Sequence, residues 1–204
     1  MVITHNDIDH SGGAASVVGN FEVDALLHSL PAGHPLPGMV AGARRCAAGT
    51  SWEWDGVRFA VLHPANAAAR AKKSNDLSCV LKVTAGGRSM LLTGDIEKPA
   101  EAELLARDPS ALASDVLLVP HHGSKTSSTQ EFLAAVRPST AVIPAGYRNR
   151  FGHPNAEVAD RYRAAGIWLW RTDLEGAASV HMMNGNITVT SQRRDSRRYW
   201  QDAP

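Results

Sequence analysis

The stretch Thr4–Gly13 reads THNDIDHSGG and sets two histidines and two aspartates within the six residues from His5 to His10. Before it stand only Met1, Val2 and Ile3, apolar and β-prone; after it the chain turns to small residues, SGGAASVV, suited to a loop entering a short helix. The cluster therefore reads as the end of a strand running into a loop. In an extended segment, residues 5, 7 and 9 share one face, and a turn can send Asp9 and His10 in different directions, toward two adjacent ions. Imidazoles and carboxylates this close repel or shift each other's pKa unless a cation joins them. A structural alternative is that Asp7 and Asp9 cap the following helix.

Similar chemistry recurs downstream wherever a strand pattern stops. LLTGD ends at Asp95, DVLLVP runs from Asp115 to Pro120 into His121-His122, and FGHP carries His153. Strands deliver their terminal loops to one sheet edge, so these residues can converge. In HHGSKTSS, residues Gly123, Ser124, Lys125 and Thr126 read as phosphate-binding material: backbone N–H groups, hydroxyls and an ammonium. Taken singly, TGD is also an ordinary turn, the histidine pair also a capping pair, and His153 before proline also a loop fastener.

The chain has 204 residues, 44% hydrophobic and 20% charged, with a formal net charge of +1, which suits one globular domain with no general pull toward polyanions. No run of apolar residues is long enough to span a bilayer, and no basic stretch followed by an apolar one opens the chain. Cys46 and Cys79 lie in separate segments without the paired spacing of a zinc knuckle, so free or buried thiols are expected rather than a disulfide.

Hairpins are expected around Asp55-Gly56, Gly86-Gly87 and Asn184-Gly185. Helices are expected from Pro99, after Ser127-Ser128-Thr129, and over NAEVADRYRAAG, with strands between them. Early antiparallel hairpins followed by strand–helix–strand units give a mixed sheet covered by helices. One domain is expected over residues 1–190. Residues 191–204, with Arg193, Arg194, Arg197 and Arg198, read as a basic disordered tail.

HxDxDH followed by Gly-Gly resembles the HxHxDH metal signature of the metallo-β-lactamase fold. THNDIDHSGG, SNDLSCVL, LLTGDIE, LLVPHHGSKTSS and GHP, in that order, further resemble the carboxy-terminal metallo-β-lactamase-like domain of ComEC-type DNA-uptake (competence) proteins. The resemblance covers Thr4 to about Ser191, and HHGSKTSS is its most specific piece. It implies an α+β fold, an αββα sandwich. The strands that normally precede the metal motif are missing here apart from Val2-Ile3, so the domain reads as amino-terminally truncated and marginal in stability, with exposed sheet edge. Two departures stand out. Asp7 replaces the superfamily's middle histidine, as in the ComEC subgroup, and SNDLS stands where the next histidine ligand is expected, leaving Asp76 as a substitute.

Carried over residue by residue, the resemblance implies one metal site of Asp9, His10 and His121 with Asp95 bridging, and a second of His5, Asp7 and Asp95. That donor set suits Mn²⁺ as well as Zn²⁺, in one or two ions. It implies a hydrolase attacking a phosphodiester, a nuclease on single-stranded DNA during uptake. Asp9 would orient the attacking water, Lys125 would neutralise phosphate, and His122 or His153 would protonate the leaving oxygen. It also implies a membrane channel in the same full-length protein as partner and the extracytoplasmic face of the inner membrane as location. Two alternatives remain open: a degenerate DNA-binding or channel-packing module, and a stand-alone hydrolase of a small phosphoester or lactone.

Overall fold

The computed structural model describes residues 1–69, 73–183, 185–196 and 198. Three short strands, β1 (Val2–Ile3), β2 (Leu26–His28) and β3 (Ala43–Arg45), pair in parallel in that order. A second sheet contains β4 (Ser51–Trp54), β5 (Val57–His63), β6 (Val80–Ala85), β7 (Arg88–Leu92), β8 (Val116–Leu118), β9 (Thr140–Ile143) and β10 (Trp168–Arg171), in the order β10-β9-β8-β7-β6-β5-β4. β4 to β7 run antiparallel as two hairpins, and β7 to β10 run parallel, as the mixed pattern predicts. A separate hairpin joins β11 (Ala178–Met183) and β12 (Asn186–Ser191); its turn residue Asn184 lies outside the described residues.

The described residues form seven α-helices: α1 (Ile8–Ser11), α2 (Ala14–Asn20), α3 (Lys98–Arg107), α4 (Gln130–Val136), α5 (Ala156–Ala164), α6 (Thr172–Glu175) and α7 (Gln192–Asp195). Local chemistry starts two of them as expected. The Thr129 side chain accepts from the Phe132 amide at the head of α4, and Asn155 accepts from the Glu157 amide at the head of α5. The segment after His5 departs from its expectation. Ile8–Ser11 is a helical turn, so residues 5, 7 and 9 do not share an extended face. Asp7 occupies the cap position without capping through its side chain. The expected tail begins as the turn α7, while Arg197 and residues 199–204 lie outside the described residues.

Strand alternation builds the layers. Ile3 and Leu26 face one way, packing with Ala14 of α2, Leu30, Leu36 and Val40. Their neighbours Val2 and Leu27 face the other way, against Val61, Leu81, Val83 and Phe59 of the larger sheet. On that sheet's far side, Leu91, Leu117, Ala141 and Ile143 pack on Leu104 of α3, Phe132 and Val136 of α4, and Val158 and Tyr162 of α5. The order helix, sheet, sheet, helix follows, which is the αββα expectation.

Cys46 and Cys79 form a disulfide between the two sheets, with their Cα atoms 5.8 Å apart, contrary to the expected thiols. Remote in sequence, they meet because β3 and β6 are brought face to face across the inner layer, where both are buried. Spacing along the chain carries no information about that encounter.

Candidate metal centre

The parallel strands β7, β8 and β9 end at the same edge, which is where open mixed sheets place ligands. β7 runs into Thr93-Gly94-Asp95, β8 into the 3-10 turn Pro120–Gly123, and β9 into Pro144. The end of β1 supplies Thr4 and His5 from the facing sheet. Gly94 has φ +55°, and a Cβ there would lie 2.9 Å from the Ser78 Cβ and 3.0 Å from that of Thr4. Only glycine lets the Asp95 turn sit that close to the two hydroxyl residues that orient the histidines.

Asp95, 4% exposed, is the centre. Its Oδ1 lies 3.2 Å from His10 Nε2, and its Oδ2 lies 3.4 Å from His122 Nε2 and 3.9 Å from both His5 Nε2 and His121 Nε2. Asp9 Oδ2 lies 3.2 Å from His122 Nε2 and 3.7 Å from His10 Nε2, and Asp7 Oδ2 lies 3.7 Å from His5 Nε2. Two compact donor groups result, His5–His10–Asp95 and Asp9–His10–His122, sharing His10.

The other ring nitrogens are already engaged. Thr4 Oγ1 lies 3.1 Å from Nδ1 of both His5 and His10, and Ser78 Oγ lies 3.3 Å from His5 Nδ1 while accepting from the Asp95 amide at 3.2 Å. His122 Nδ1 donates to the Pro144 carbonyl at 2.6 Å. The buried Nε2 atoms of His5, His10 and His122 are left without a hydrogen-bond partner. Three unpartnered, converging imidazole nitrogens beside carboxylates are what a divalent cation needs, so these residues fit the implied metal. The donors mix nitrogen and oxygen and do not choose between Zn²⁺ and Mn²⁺.

Charge balance points the same way. Burial acts to raise the Asp95 carboxyl, but the close approach of the His10 and His122 rings and their charges outweigh it and hold it far below the usual carboxylate range. The contact with Asp95 lifts His122 to about 9 in spite of burial. Burial first, then the charge on His10, lowers His5. The carboxylates thus attract positive charge that the histidines supply only by holding protons.

The structure places the expected residues unevenly. His5, Asp9, His10 and Asp95 come together. The turn Pro120–Gly123 puts both histidines in the left-handed region, with φ of 49° and 54°; His122 reaches Asp9 and joins the group with His10, while His121 Nε2 lies 3.9 Å from Asp95 Oδ2. His121 stands beside the cluster, its Nδ1 3.4 Å from Glu97 Oε1 and 3.3 Å from Thr126 Oγ1, and its Nε2 3.5 Å from Asn75 Nδ2. Asp7 is half exposed at the margin. Asp76 Oδ1 accepts from the Glu97 amide at 3.3 Å and joins neither donor group among the described residues.

Of the phosphate candidates, Ser124 and Thr126 hydrogen-bond each other, and Gly123 is buried against Pro154; only Lys125 is exposed. His153 lines a cavity of about 290 Å³ together with Asp9 and His122, and its buried Nδ1 has no hydrogen-bond partner. Burial first, then His121 and His122, lowers its pKa. Thr4, Ser78, Glu97 and the Pro144 carbonyl were not legible as site residues, since nothing local marks them as partners of ligands.

Residues 1–147 match the metallo-beta-lactamase superfamily. The chain belongs to that superfamily. It is 42% identical over its full length to a protein named competence protein ComA of Neisseria gonorrhoeae, and 35% identical over 90% of its length to the ComE operon protein 3 of Bacillus subtilis. It spans only 28% and 24% of those proteins, about a quarter of their length. Among solved structures, Igni18, a metallo hydrolase from the archaeon Ignicoccus hospitalis, aligns over 93% of this chain and 78% of its own with a TM-score of 0.56 at 17% identity. CmlA, a diiron β-hydroxylase from Streptomyces venezuelae, aligns over 93% of this chain and 44% of its own with a TM-score of 0.55 at 12% identity. These two likenesses concern the fold alone. The superfamily usually binds divalent metals, in keeping with the donor groups here.

Proposed function

We propose that this chain is the hydrolase domain of a ComEC-type DNA-uptake protein and that it cleaves phosphodiester bonds in single-stranded DNA with the help of one or two divalent ions. The observation that carries the reading is the set of unpartnered Nε2 atoms on His5, His10 and His122 around Asp95 and Asp9. Either donor group by itself offers three protein ligands, with the one available nitrogen of His10 serving one ion at a time; three is the number that leaves a position open for water or substrate, whereas closed structural sites use four. That favours a catalytic centre over a module that merely binds. A divalent ion held there would lower the pKa of water and draw off charge from a phosphate.

The remaining roles belong to the chain. Asp9, on the exposed turn α1, orients the nucleophile and holds metal. His122, pinned through Nδ1 by the Pro144 carbonyl, would hold metal, so the leaving oxygen falls to His153, which lines the same cavity. Lys125, exposed between Ser124 and Thr126, supplies positive charge to the phosphate. The named relatives support competence as the setting. The Cys46–Cys79 disulfide supports an oxidising location, since such bonds persist outside the cytosol, and so favours the extracytoplasmic face. Among the described residues no helix is long and apolar enough to cross a membrane, so the channel partner would lie in another part of the full-length protein.

Incubation of the purified chain with end-labelled single-stranded DNA and Mn²⁺ or Zn²⁺ tests the reading. Cleavage that chelation stops and that Asp95→Asn abolishes is expected. Protein that binds metal stoichiometrically yet leaves DNA intact with either ion would instead favour the non-catalytic module.

A further inference from the structure

The cavity beside Asp9 and His122 is also lined by His153 and Phe151, and the loop that carries them is not needed for metal binding. Phe151 is 67% exposed and Tyr147 is 50% exposed, both on the loop between β9 and α5. Isolated exposed aromatics are unremarkable, but these two carry arginines. The Arg150 guanidinium lies 4.9 Å from the Phe151 ring centre, and those of Arg148 and Arg193 each lie 5.1 Å from that of Tyr147. None of these three arginines pairs with a carboxylate among the described residues, whereas Arg194 next to them faces Glu175 at 3.8 Å. A chain of net charge +1 therefore sets arginines on two exposed aromatic faces of the loop that contributes Gly146, Asn149, Phe151 and His153 to the metal cavity.

The rings also line up inward. Phe151 and His153 are 5.9 Å apart and inclined by 20°, and His153 and His122 are 6.5 Å apart and inclined by 21°. Asn149 holds this path by accepting from the His153 amide at 2.9 Å and donating to its carbonyl at 2.7 Å. Near-parallel rings thus lead from the exposed rim to a residue of the donor cluster. Exposed aromatic faces combined with arginines suit an unpaired strand, whose bases stack on rings and whose phosphates meet guanidinium groups. A folded duplex hides the base faces that such a rim would grip.

We infer that Phe151 and Tyr147, with Arg148, Arg150 and Arg193, form a base-stacking rim that grips single-stranded nucleic acid and leads its backbone to the metal cavity. The inference rests on the phosphodiesterase reading for the purpose of the rim but not for its existence. Binding of the metal-loaded protein to a fluorescent, cleavage-resistant phosphorothioate oligothymidylate, and to an abasic strand of equal length, separates the two. Phe151→Ala is expected to weaken binding to oligothymidylate by roughly 5- to 150-fold, the worth of one stacked base, and to leave the weaker binding of the abasic strand and the metal content as they were. Arg148→Ala with Arg150→Ala is expected to flatten the salt dependence of binding by ~0.7 for each phosphate that is no longer neutralised.

Equal binding of oligothymidylate by Phe151→Ala, Tyr147→Ala and the unaltered protein overturns the inference, as does an equal loss on the abasic strand. Cleavage of an unmodified strand is scored separately. Phe151-dependent binding without cleavage removes the hydrolase and keeps the rim; cleavage with binding indifferent to both aromatics removes the rim and keeps the hydrolase.

Discussion

The two sheets bring ligands to the same place by different means. From the three-stranded sheet, His5 is fully buried, but Asp7, Asp9 and His10 sit on α1, a turn with no buried residue, and the side chains of Asp7 and Asp9 are about half exposed. From the seven-stranded sheet, Asp95 sits in a tight turn closed by Gly94, and His122 in a left-handed turn. That turn is fastened from behind. The Ser127 hydroxyl donates to the Pro120 carbonyl at 2.9 Å, and buried Glu101 accepts from the Ser128 and Thr129 amides. One side of the site is preset, and the other closes onto it. The comparison predicts unequal losses. Asp95→Asn is expected to lower metal affinity by at least about a thousandfold, beyond the ~10–100-fold that an outer partner is worth. Asp9→Asn, on the adaptable turn, is expected to lower it far less. Calorimetric titration with Mn²⁺ or Zn²⁺ measures both, and a larger loss at Asp9 would break the comparison.

The Cys46–Cys79 bond ties the two sheets immediately behind the site, one residue from Ser78. It closes a loop over a sequence separation of 33, and in the chain-entropy account Cys46→Ser with Cys79→Ser costs about 3–4 kcal/mol of stability. Chemical denaturation of both forms measures it. If the bond chiefly keeps the preset side against the closing side, metal affinity falls together with stability; an unaltered affinity would assign the bond to the inner core alone.

The larger sheet was the more legible of the two. Its hairpins turn at Asp55-Gly56 and Gly86-Gly87, and its later strands are short apolar runs ending in polar residues, so local pattern and final structure agree. The three-stranded sheet was less so, because strands of two and three residues carry little periodicity. The disulfide was not legible, since it depends on β3 and β6 meeting across a layer. At the site, ligand types were readable from THNDIDHSGG and HHGSKTSS, but His121 and His122 are neighbours with the same chemistry. Both bring Nε2 within 4 Å of Asp95, and the backbone dihedrals and Pro144 carbonyl that set His122 in a group with Asp9 and His10 are not written in the motif. HHGSKTSS also owes part of its character to architecture. Ser124, Ser127 and Ser128 are buried and hydrogen-bonded within the corner, and of these three only Ser124 was read as a phosphate ligand.

His122 lets a proton connect the two sides. Its Nε2 lies 3.2 Å from Asp9 Oδ2 and 3.4 Å from Asp95 Oδ2, and its pKa is raised to about 9. A histidine raised above its unfolded value of about 6.5 adds stability that is fully present below about pH 6.5 and lost as the pH climbs through 9. Chelator-treated protein is therefore expected to lose on the order of 1–3 kcal/mol between pH 6.5 and 9.5. The stabilisation conferred by added metal is expected to grow over the same interval, because the ion must displace that proton. Thermal unfolding across the pH series reads both trends, and His122→Gln is expected to flatten them. A chelated protein equally stable from pH 6.5 to 9.5 would mean that the two sides are not joined through this residue.

The finest test concerns Thr4, which belongs to the closing side but serves both of its histidines. Its hydroxyl lies 3.1 Å from Nδ1 of His5 and of His10, and Ser78 from the opposite sheet supports only the former. A hydroxyl has one proton to give, so Thr4 can donate to one ring while accepting from the other, and in doing so it sets which nitrogen of each faces the metal. Thr4→Val keeps the shape and removes that control. Metal affinity is expected to fall by ~10–100-fold, which corresponds to about 1–3 kcal/mol. Thr4→Ser is expected to restore most of it, since the hydroxyl returns and only a methyl is removed. Ser78→Ala, which leaves Thr4 beside both rings, is expected to cost less than Thr4→Val. The reverse ranking would mean that the preset sheet, acting through Ser78 and His5, also governs the side that closes.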